Sequence, residues 1–405
     1  MNHLRRSHDA APPRLFAPDT GRPLYPRTPA TPDLWTDGIG HWPVVDGIPF
    51  LRTGRDLLRD SVIQALEQGD RRRAVALLLR DRDDHARIAP PSVEEALAVV
   101  AGVEDGTLGL RQAMERLCFG PVASYFAHRQ SAPTFLSALG LLAQHWDAPP
   151  RVVEVACGIG QVLREVMLRG TPGVGVDVVF AKLWLARHFI VPEAWLVCAD
   201  VAASGLPLSC VEGATVLCHD AFYFLPDKAG VLLEMRRVAG DTGRVLVGHA
   251  HNRHVDQRGV DGFPLSPEEY AALLPQAACY DDAAFVTGFL EQHPVPAATP
   301  AELRHAEALS FAWPAGPARR AIDFGAPAPG VPLRPNPLLT IRDGVLTPVW
   351  PTPGLAREYA NAHYLRGDDA DDTALFARAH LRGAMPDERP VLLRRRWLLD
   401  LPERW

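Results

Sequence analysis

The chain has 405 residues, enough for two or three domains and a sizeable core. Hydrophobic residues make up 47% and charged residues 22%, a globular balance that excludes a fibre or a wholly disordered chain. The 42 basic against 48 acidic residues leave a net charge of −6, which argues against a general nucleic-acid or anionic-membrane binder.

Only Lys182 and Lys228 are lysines; the other 40 basic residues are arginine. With abundant Ala, Pro and Gly, this bias makes runs such as Arg71–Arg73 and Arg394–Arg396 solvated charged faces rather than motifs. The six cysteines form no CxxC pair, and most sit in apolar runs, so neither a disulfide framework nor a zinc ribbon is expected. No apolar run is long enough for a membrane span. Arg5–Arg6 is followed by no apolar stretch, so it is not read as a twin-arginine signal. The expectation is a reduced, cytoplasmic protein.

Residues 1–33 are rich in Pro, Arg and Thr without periodicity and read as a flexible arm. The apolar runs around Asp46–Gly47 predict a hairpin. Three- and four-residue apolar spacing predicts helices over 55–80 and 92–117, the second opened by a Ser92/Glu95 capping box. From residue 120 the rhythm changes. Helix 131–147, strand 151–157, helix 160–169, strand 173–177, helix 179–189, strands 194–199 and 213–219, helix 227–240 and strand 243–249 follow in turn. Short apolar strands alternating with helices predict a parallel sheet covered on both faces. Residues 266–290 read as helices, with Ser266–Pro267 as a helix start. Residues 292–353 carry 13 prolines, which disfavours long helices and central strands, and a hairpin is expected at Asp343–Gly344. The tail from 354 is helical again. No internal repeat is present.

The central motif is Glu154–Val155–Ala156–Cys157–Gly158–Ile159–Gly160. Small residues allow a sharp turn and close approach of a ligand at the carboxyl end of a parallel strand. Asp177 ends the next strand, placed for two ribose hydroxyls, and Asp200 ends the strand after that. A dinucleotide site requires a third glycine that is absent here, and a P-loop requires an absent Gly-Lys-Ser/Thr. An acid within the first strand repels phosphate and suits a ligand with a cationic end.

Residues 120–255 resemble a class I S-adenosylmethionine-dependent methyltransferase domain. Glu154–Gly160 matches the first motif of that superfamily, with Ala156 where glycine is commoner. Asp177 in Gly-Val-Asp matches the ribose-binding acid. Cys198–Val201 with Gly205–Pro207 matches the adenine-side motif. Residues 215–226 match the fourth strand and its continuation, and 234–245 the helix leading to the fifth. The resemblance implies that Glu154, Ala156, Gly158 and Gly160 border the methionine part of S-adenosylmethionine. It implies that Asp177 binds the ribose, and that Asp200 and Val201 flank the adenine. The hairpin sequence Trp42–Leu51 weakly resembles the end of a Trm112-like zinc-ribbon module, but no cysteine precedes Cys118.

Methyl transfer requires a positioned, desolvated acceptor and, for some acceptors, a base, for which histidine is the natural choice near neutral pH. His219, after the fourth strand, is a candidate cofactor contact or base, with a polar strand cap as the alternative; Asp220 shares its position. His249, His251 and His254 cluster after the fifth strand. An acceptor-site role for His251 or Asn252 is preferred over a metal site, which is not expected, and a solvated loop is the alternative. Tyr125, Phe126, His128 and Arg129 precede the first domain helix, where methyltransferases of this type often lid the cofactor; packing on a core helix is the alternative. Asp368, Asp369, Asp371 and Asp372 lack calcium-loop spacing and read as a solvated helix cap.

The sequence thus predicts an α/β protein: a Rossmann-like methyltransferase sheet with helices on both faces, plus smaller accessory regions. The expected division is a flexible arm 1–33, an N-terminal accessory region 34–119, the cofactor-binding domain 120–255 and a Pro-rich C-terminal region 256–405 that helps form the acceptor site. The expected reaction methylates a small or medium-sized metabolite, with His219 and His251 as catalytic candidates. A catalytically silent partner subunit is the alternative, and an RNA methyltransferase a more distant one.

Overall fold

The computed structural model describes residues 12–29, 31–84, 86–256, 261–316 and 321–405. Its centre is a seven-stranded sheet of β1 (Val152–Val155), β2 (Gly173–Asp177), β3 (Trp195–Cys198), β4 (Thr215–His219), β5 (Arg244–His251), β6 (Ala278–Asp281) and β7 (Ala308–Trp313). The spatial order is β6-β7-β5-β4-β1-β2-β3. Strands β1 to β5 run parallel, and β7 is antiparallel to both β5 and β6. Register pairs Val155 with both Val176 and Cys218, and Cys218 with Val247. The residues that follow these four therefore emerge along one edge, the usual ligand crevice of an open parallel sheet.

The strands are apolar throughout because both faces are covered. On one face Val153, Val155, Val174, Val176, Val216 and Val247 pack with Met235 and Val238 of the helix Lys228–Ala239. On the other, Val152, Leu217 and Leu246 pack with Phe135 and Leu139 of the helix Pro133–Gln144. Gly175 leaves room on that face: a Cβ there would lie 2.8 Å from Cys157 Sγ. The N-terminal helices join the same core through Val62, Ala74 and Val99.

Local rules explain most boundaries. The Ser92/Glu95 and Ser266/Glu269 capping boxes both form. Asp46 and Gly47 take φ of 51° and 70° in a tight hairpin that pairs Val45 with Ile48. The hairpin at Asp343–Gly344 also forms, pairing Arg342 with Val345. Strand Gly173–Asp177 has the expected bounds.

Other expectations are corrected. The stretch 55–80 is two helices, Asp56–Glu67 and Arg71–Leu79, because the chain turns at Gly69 (φ 76°) and Asp70 caps the second. The stretch 92–117 likewise divides into Val93–Glu104 and Leu110–Arg116. The sheet does not end near residue 255. Strand β6 interrupts the helical stretch 266–290, and β7 is a central strand inside the Pro-rich segment. It is possible there because residues 301–313 contain no proline to remove a ladder donor.

The accessory regions are built into the domain. Within the arm, residues 12–29 are anchored: Leu15, Ala17 and Leu24 are buried, and Ser209 N donates to Arg14 O at 2.9 Å. Residues 1–11 lie outside the described residues. Phe50 bridges Cys198 in parallel fashion, and Leu51 N donates to Cys198 O at 2.7 Å, so the hairpin segment covers the open edge of β3. The C-terminal end returns to the core, with the buried pair Arg164–Asp400 at 2.7 Å and Trp405 Nε1 donating to Ala127 O at 2.8 Å.

Candidate active site

The crevice is built from three backbone turns at strand ends. After β1, Ala156, Gly158 and Gly160 all take positive φ (55°, 57° and 77°). Glycine is required at two of them for space as well: a Cβ on Gly158 would stand 3.0 Å from the Phe126 ring, and one on Gly160 2.8 Å from Val191 Cγ1. Ala156 carries its Cβ in the left-handed region, a strained position for a non-glycine residue. Gly160 N-caps the helix Gln161–Met167.

The three acids identified from sequence lie at this edge with distinct environments. Glu154 is buried, and its Oε2 accepts the Leu163 N–H at 3.1 Å, so it satisfies an orphan donor in the first turn of that helix. Burial pushes its carboxyl up to about 8. Asp177 Oδ2 accepts from Gly158 N and Oδ1 from Val179 N, both at 2.9 Å, clasping the turn after β1 to the end of β2. Lys182 Nζ lies 3.6 Å from Oδ1. Asp200 is half-buried and caps the helix Val201–Ser204, accepting from Ala202 N at 3.0 Å and Ala203 N at 3.2 Å. Val201 follows it and is buried.

A helix that sequence reading missed, Pro121–His128, covers the glycine turn. Gln161 Nε2 donates to Phe126 O at 2.8 Å, tying the two together. Its residues diverge in role. Phe126 lies on Gly158. His128 turns away and packs edge-on against Trp405. Tyr125 and Arg129 reach the end of β4: Tyr125 Oη donates to Asp220 Oδ2 at 2.6 Å, and Arg129 Nη1 donates to the same oxygen at 2.9 Å and to Tyr125 Oη. Burial would raise the Asp220 carboxyl, but Arg129 together with His249, His219 and the Tyr125 hydrogen bond outweighs it and holds it at about 2. Asp220 itself takes φ 55°.

The histidines separate into two electrostatic types. His219 is buried, its Nε2 3.3 Å from Ser137 Oγ, and burial lowers it to about 4. Its ring lies against Gly248, where a Cβ would meet His219 Cδ2 at 2.3 Å. His251 is also lowered to about 4, by burial and then by the neighbouring His249. Its ring stands 4.0 Å from that of Tyr223. His249 is the opposite case. Its Nδ1 is 2.7 Å from Asp282 Oδ2, and its backbone N–H donates to Asp282 Oδ1 at 3.1 Å. Burial disfavours its cation, but Asp282 prevails and raises it to about 9. Ser310 Oγ donates to the same carboxylate at 2.6 Å.

Two sequence expectations change here. Asn252 does not face the crevice; its Nδ2 donates to Leu303, Arg304 and Ala306 carbonyls and clamps the loop before β7. The absence of a metal-ligand group was expected, yet Asp220, His249 and His251 each place one ligand atom within 4.8 Å of the others. Sequence reading also missed Asp282, Glu358 and Tyr359. Asp281–Asp282 ahead of an apolar run does carry a helix-start signal, and Asp281 is the cap. Glu358 and Tyr359 carry no local signal; both feel the charges of Arg129 and Asp220 from the C-terminal region. Among the described residues, His219 Nδ1 and His251 Nδ1 are buried with no hydrogen-bond partner.

Residues 153–247 match the family described as a methyltransferase domain. No curated protein matches the chain. Among solved structures, a chain of the complex between the Haloferax volcanii Trm112 methyltransferase activator and a methyltransferase is similar at 15% identity and a TM-score of 0.34, over 46% of this chain and 92% of that one. An S-adenosylmethionine-dependent methyltransferase from Thiobacillus denitrificans, in complex with S-adenosylhomocysteine, is similar at 17% identity and 0.30, over 47% and 94%. A TehB-like methyltransferase from Corynebacterium glutamicum gives 14% and 0.30, over 44% and 85%. The family match coincides with β1 to β5 and with the three strand-end turns, so this part of the chain is a class I S-adenosylmethionine-dependent methyltransferase domain, whose cofactor is S-adenosylmethionine.

Proposed function

We propose that the chain methylates a small or medium-sized metabolite held in the crevice between the ends of β4 and β5 and the helix Pro121–His128. The observation that carries this reading is the burial of the groups that would meet the acceptor. Arg129, His219, His251 and Tyr359 are each more than nine-tenths buried. An enclosed polar crevice fits a small molecule better than a polymer, and a net charge of −6 weighs against RNA.

The donor set fits S-adenosylmethionine: a cradle in which Cβ atoms at Gly158 and Gly160 would collide, and acids at three successive strand ends. Bound there, that cofactor supplies a methyl group activated on a sulfonium. Glu154, Ala156, Gly158 and Gly160 would border its methionine part, with Glu154 acting mainly by holding the turn. Asp177 would take the ribose. Each of its oxygens has a second lone-pair site beyond the backbone N–H it already accepts. Asp200 and Val201 would flank the adenine. His219, neutral at physiological pH, would orient the cofactor edge facing β4. His251 would accept a hydrogen bond or proton from the acceptor, and His249, kept cationic by Asp282, would favour an anionic or electron-rich one.

Calorimetric titration with S-adenosylmethionine and S-adenosylhomocysteine, followed by labelled methyl transfer into small-molecule extracts, tests this reading. Saturable binding and a labelled low-mass product support it; label appearing only in RNA overturns the acceptor class. A silent partner subunit is favoured by one observation, the prior engagement of both Asp177 oxygens. It would show cofactor binding without transfer to any extract.

A further inference from the structure

We propose that Asp220, His249 and His251 form a binding site for one divalent first-row transition ion, facing the acceptor side of the crevice. The three residues come from two adjacent strand ends and present two imidazoles and one carboxylate, with a ligand atom of each within 4.8 Å of the others. Metal–ligand bonds of about 2.0–2.2 Å put ligand atoms up to roughly 4.4 Å apart, so modest side-chain rotations close the set. Two nitrogens and one oxygen suit zinc, iron, cobalt or nickel better than magnesium or calcium, which prefer oxygen alone.

The surroundings are those of a supported metal site. Metal-bound histidines normally donate their other ring nitrogen to a carboxylate, and His249 Nδ1 stands 2.7 Å from Asp282 Oδ2. That leaves Nε2 as its ligand atom, with the ion taking the place of the proton that Nε2 carries in the cationic ring; with the ion bound, His249 and His251 hold it rather than act on the acceptor directly. Ligating carboxylates are themselves hydrogen-bonded. Tyr125 and Arg129 occupy Asp220 Oδ2, whereas Oδ1 has only a long contact of 3.4 Å from Tyr223 Oη. The second, independent observation is His251: the residue is 7% exposed, and its Nδ1 is buried with no partner. Asp220 and His249 also hold left-handed backbone, φ 55° and 51°, at the two strand ends that bring the ligands together. Backbone strain of this kind concentrates at functional sites.

With three protein ligands, open positions remain for an acceptor bearing a hydroxyl, thiol or carboxylate. This acceptor chemistry rests on the functional reading above, whereas the ion site itself does not. Cobalt(II) is the probe. Titrated into the full-length, metal-stripped protein, it is expected to bind at one equivalent with visible d–d absorption, and X-ray absorption is expected to count two imidazoles. His249→Ala and His251→Ala should each weaken cobalt binding by about 100-fold or more, and Asp282→Asn by about 10–100-fold. S-adenosylmethionine titration of the same variants checks that the cofactor site persists, and it separates failure of this proposal from failure of the methyltransferase reading. No saturable cobalt binding, an X-ray shell with fewer than two imidazoles, or binding unchanged in His251→Ala would each overturn the site. The X-ray count is made on the wild-type protein, so the proposal stays testable if a variant fails to fold.

Discussion

The backbone N–H of Gly158 donates to Asp177 Oδ2 at 2.9 Å, joining the turn after β1 to the end of β2. One carboxylate thus serves two ends. It satisfies buried donors at Gly158 and Val179, and it is the group proposed to take the cofactor ribose. The turn and the proposed ribose site therefore share one side chain, and changes at Asp177 are expected to act on both stability and binding.

Asp177→Ala is expected to abolish S-adenosylmethionine binding and to lower stability by about 1–3 kcal/mol, because two buried N–H groups lose their acceptor. Asp177→Asn retains one acceptor oxygen and should recover part of the stability but little of the binding. Calorimetry and urea denaturation of both variants check this. Retained binding in Asp177→Ala would remove the ribose assignment.

Gly158→Ala forces a Cβ into left-handed backbone and to 3.0 Å from the Phe126 ring. The backbone term alone amounts to about 1–2 kcal/mol. The turn and the helix Pro121–His128 must then separate, so cofactor affinity should fall by more than stability does. A melting curve with a binding titration distinguishes the two losses.

Glu154 gives a pH-dependent prediction. Burial raises its folded-state carboxyl from 4.5 to about 8, so the folded state holds a proton that the unfolded chain releases. The sign is destabilising with rising pH: the penalty is absent below about 4.5, grows through the interval and levels off above about 8. Glu154→Gln keeps an acceptor for the Leu163 N–H without the charge. It should match the wild type near pH 4.5 and exceed it by roughly 3–5 kcal/mol at pH 9. Thermal melts of both proteins across this range provide the comparison.

What local rules reach is legible in the sequence: the chain order of β1 to β5, the glycine turn, Asp177 at the end of β2, the Ser92/Glu95 capping box, the helix start at Ser266 and the two hairpins. Each depends on residues close in sequence. The polar half of the crevice does not. Arg129 meets Asp220 across 91 positions, and His249 meets Asp282 across 33. No pattern around Arg129 or Asp282 announces its partner. Strand β7 was hidden by prolines on either side of a proline-free stretch. For Tyr125 and Arg129 the sequence offers a cofactor lid or packing on a core helix, and neither reading contains the ionic clamp they form on Asp220 after β4. His249 is one of a histidine cluster in which the sequence favours its neighbours, because the carboxylate that sets its charge lies 33 positions away.

The clamp itself is testable. Arg129 and Asp220 are both buried, so Arg129→Met leaves the Asp220 carboxylate without its cation. Breaking one partner of a buried pair typically loses about 3–5 kcal/mol. Tyr125→Phe removes one hydrogen bond to the same oxygen and should lose about 1–2 kcal/mol. The double variant should fall short of the sum, since both groups share Asp220 Oδ2. Additive losses in urea denaturation would show that the two act independently.

The edge of the sheet offers the last test. Phe50 is fully buried, its ring 6.5 Å from that of Phe180, and the next residue donates its N–H to Cys198 O. Phe50→Ala should lose about 3–5 kcal/mol by the usual penalty for emptying an aromatic core position. If the hairpin segment is part of the domain, that loss appears in one cooperative transition, and S-adenosylmethionine affinity weakens as well, because Asp200 and Val201 directly follow β3. If the segment is only an appendage, it melts separately and binding is unchanged. Removing it then uncovers β3, whose exposed ladder would promote aggregation on heating. Tyr25→Ala, at a half-exposed ring in the short N-terminal strand Tyr25–Pro26, is the control and should shift stability by less than about 0.5 kcal/mol.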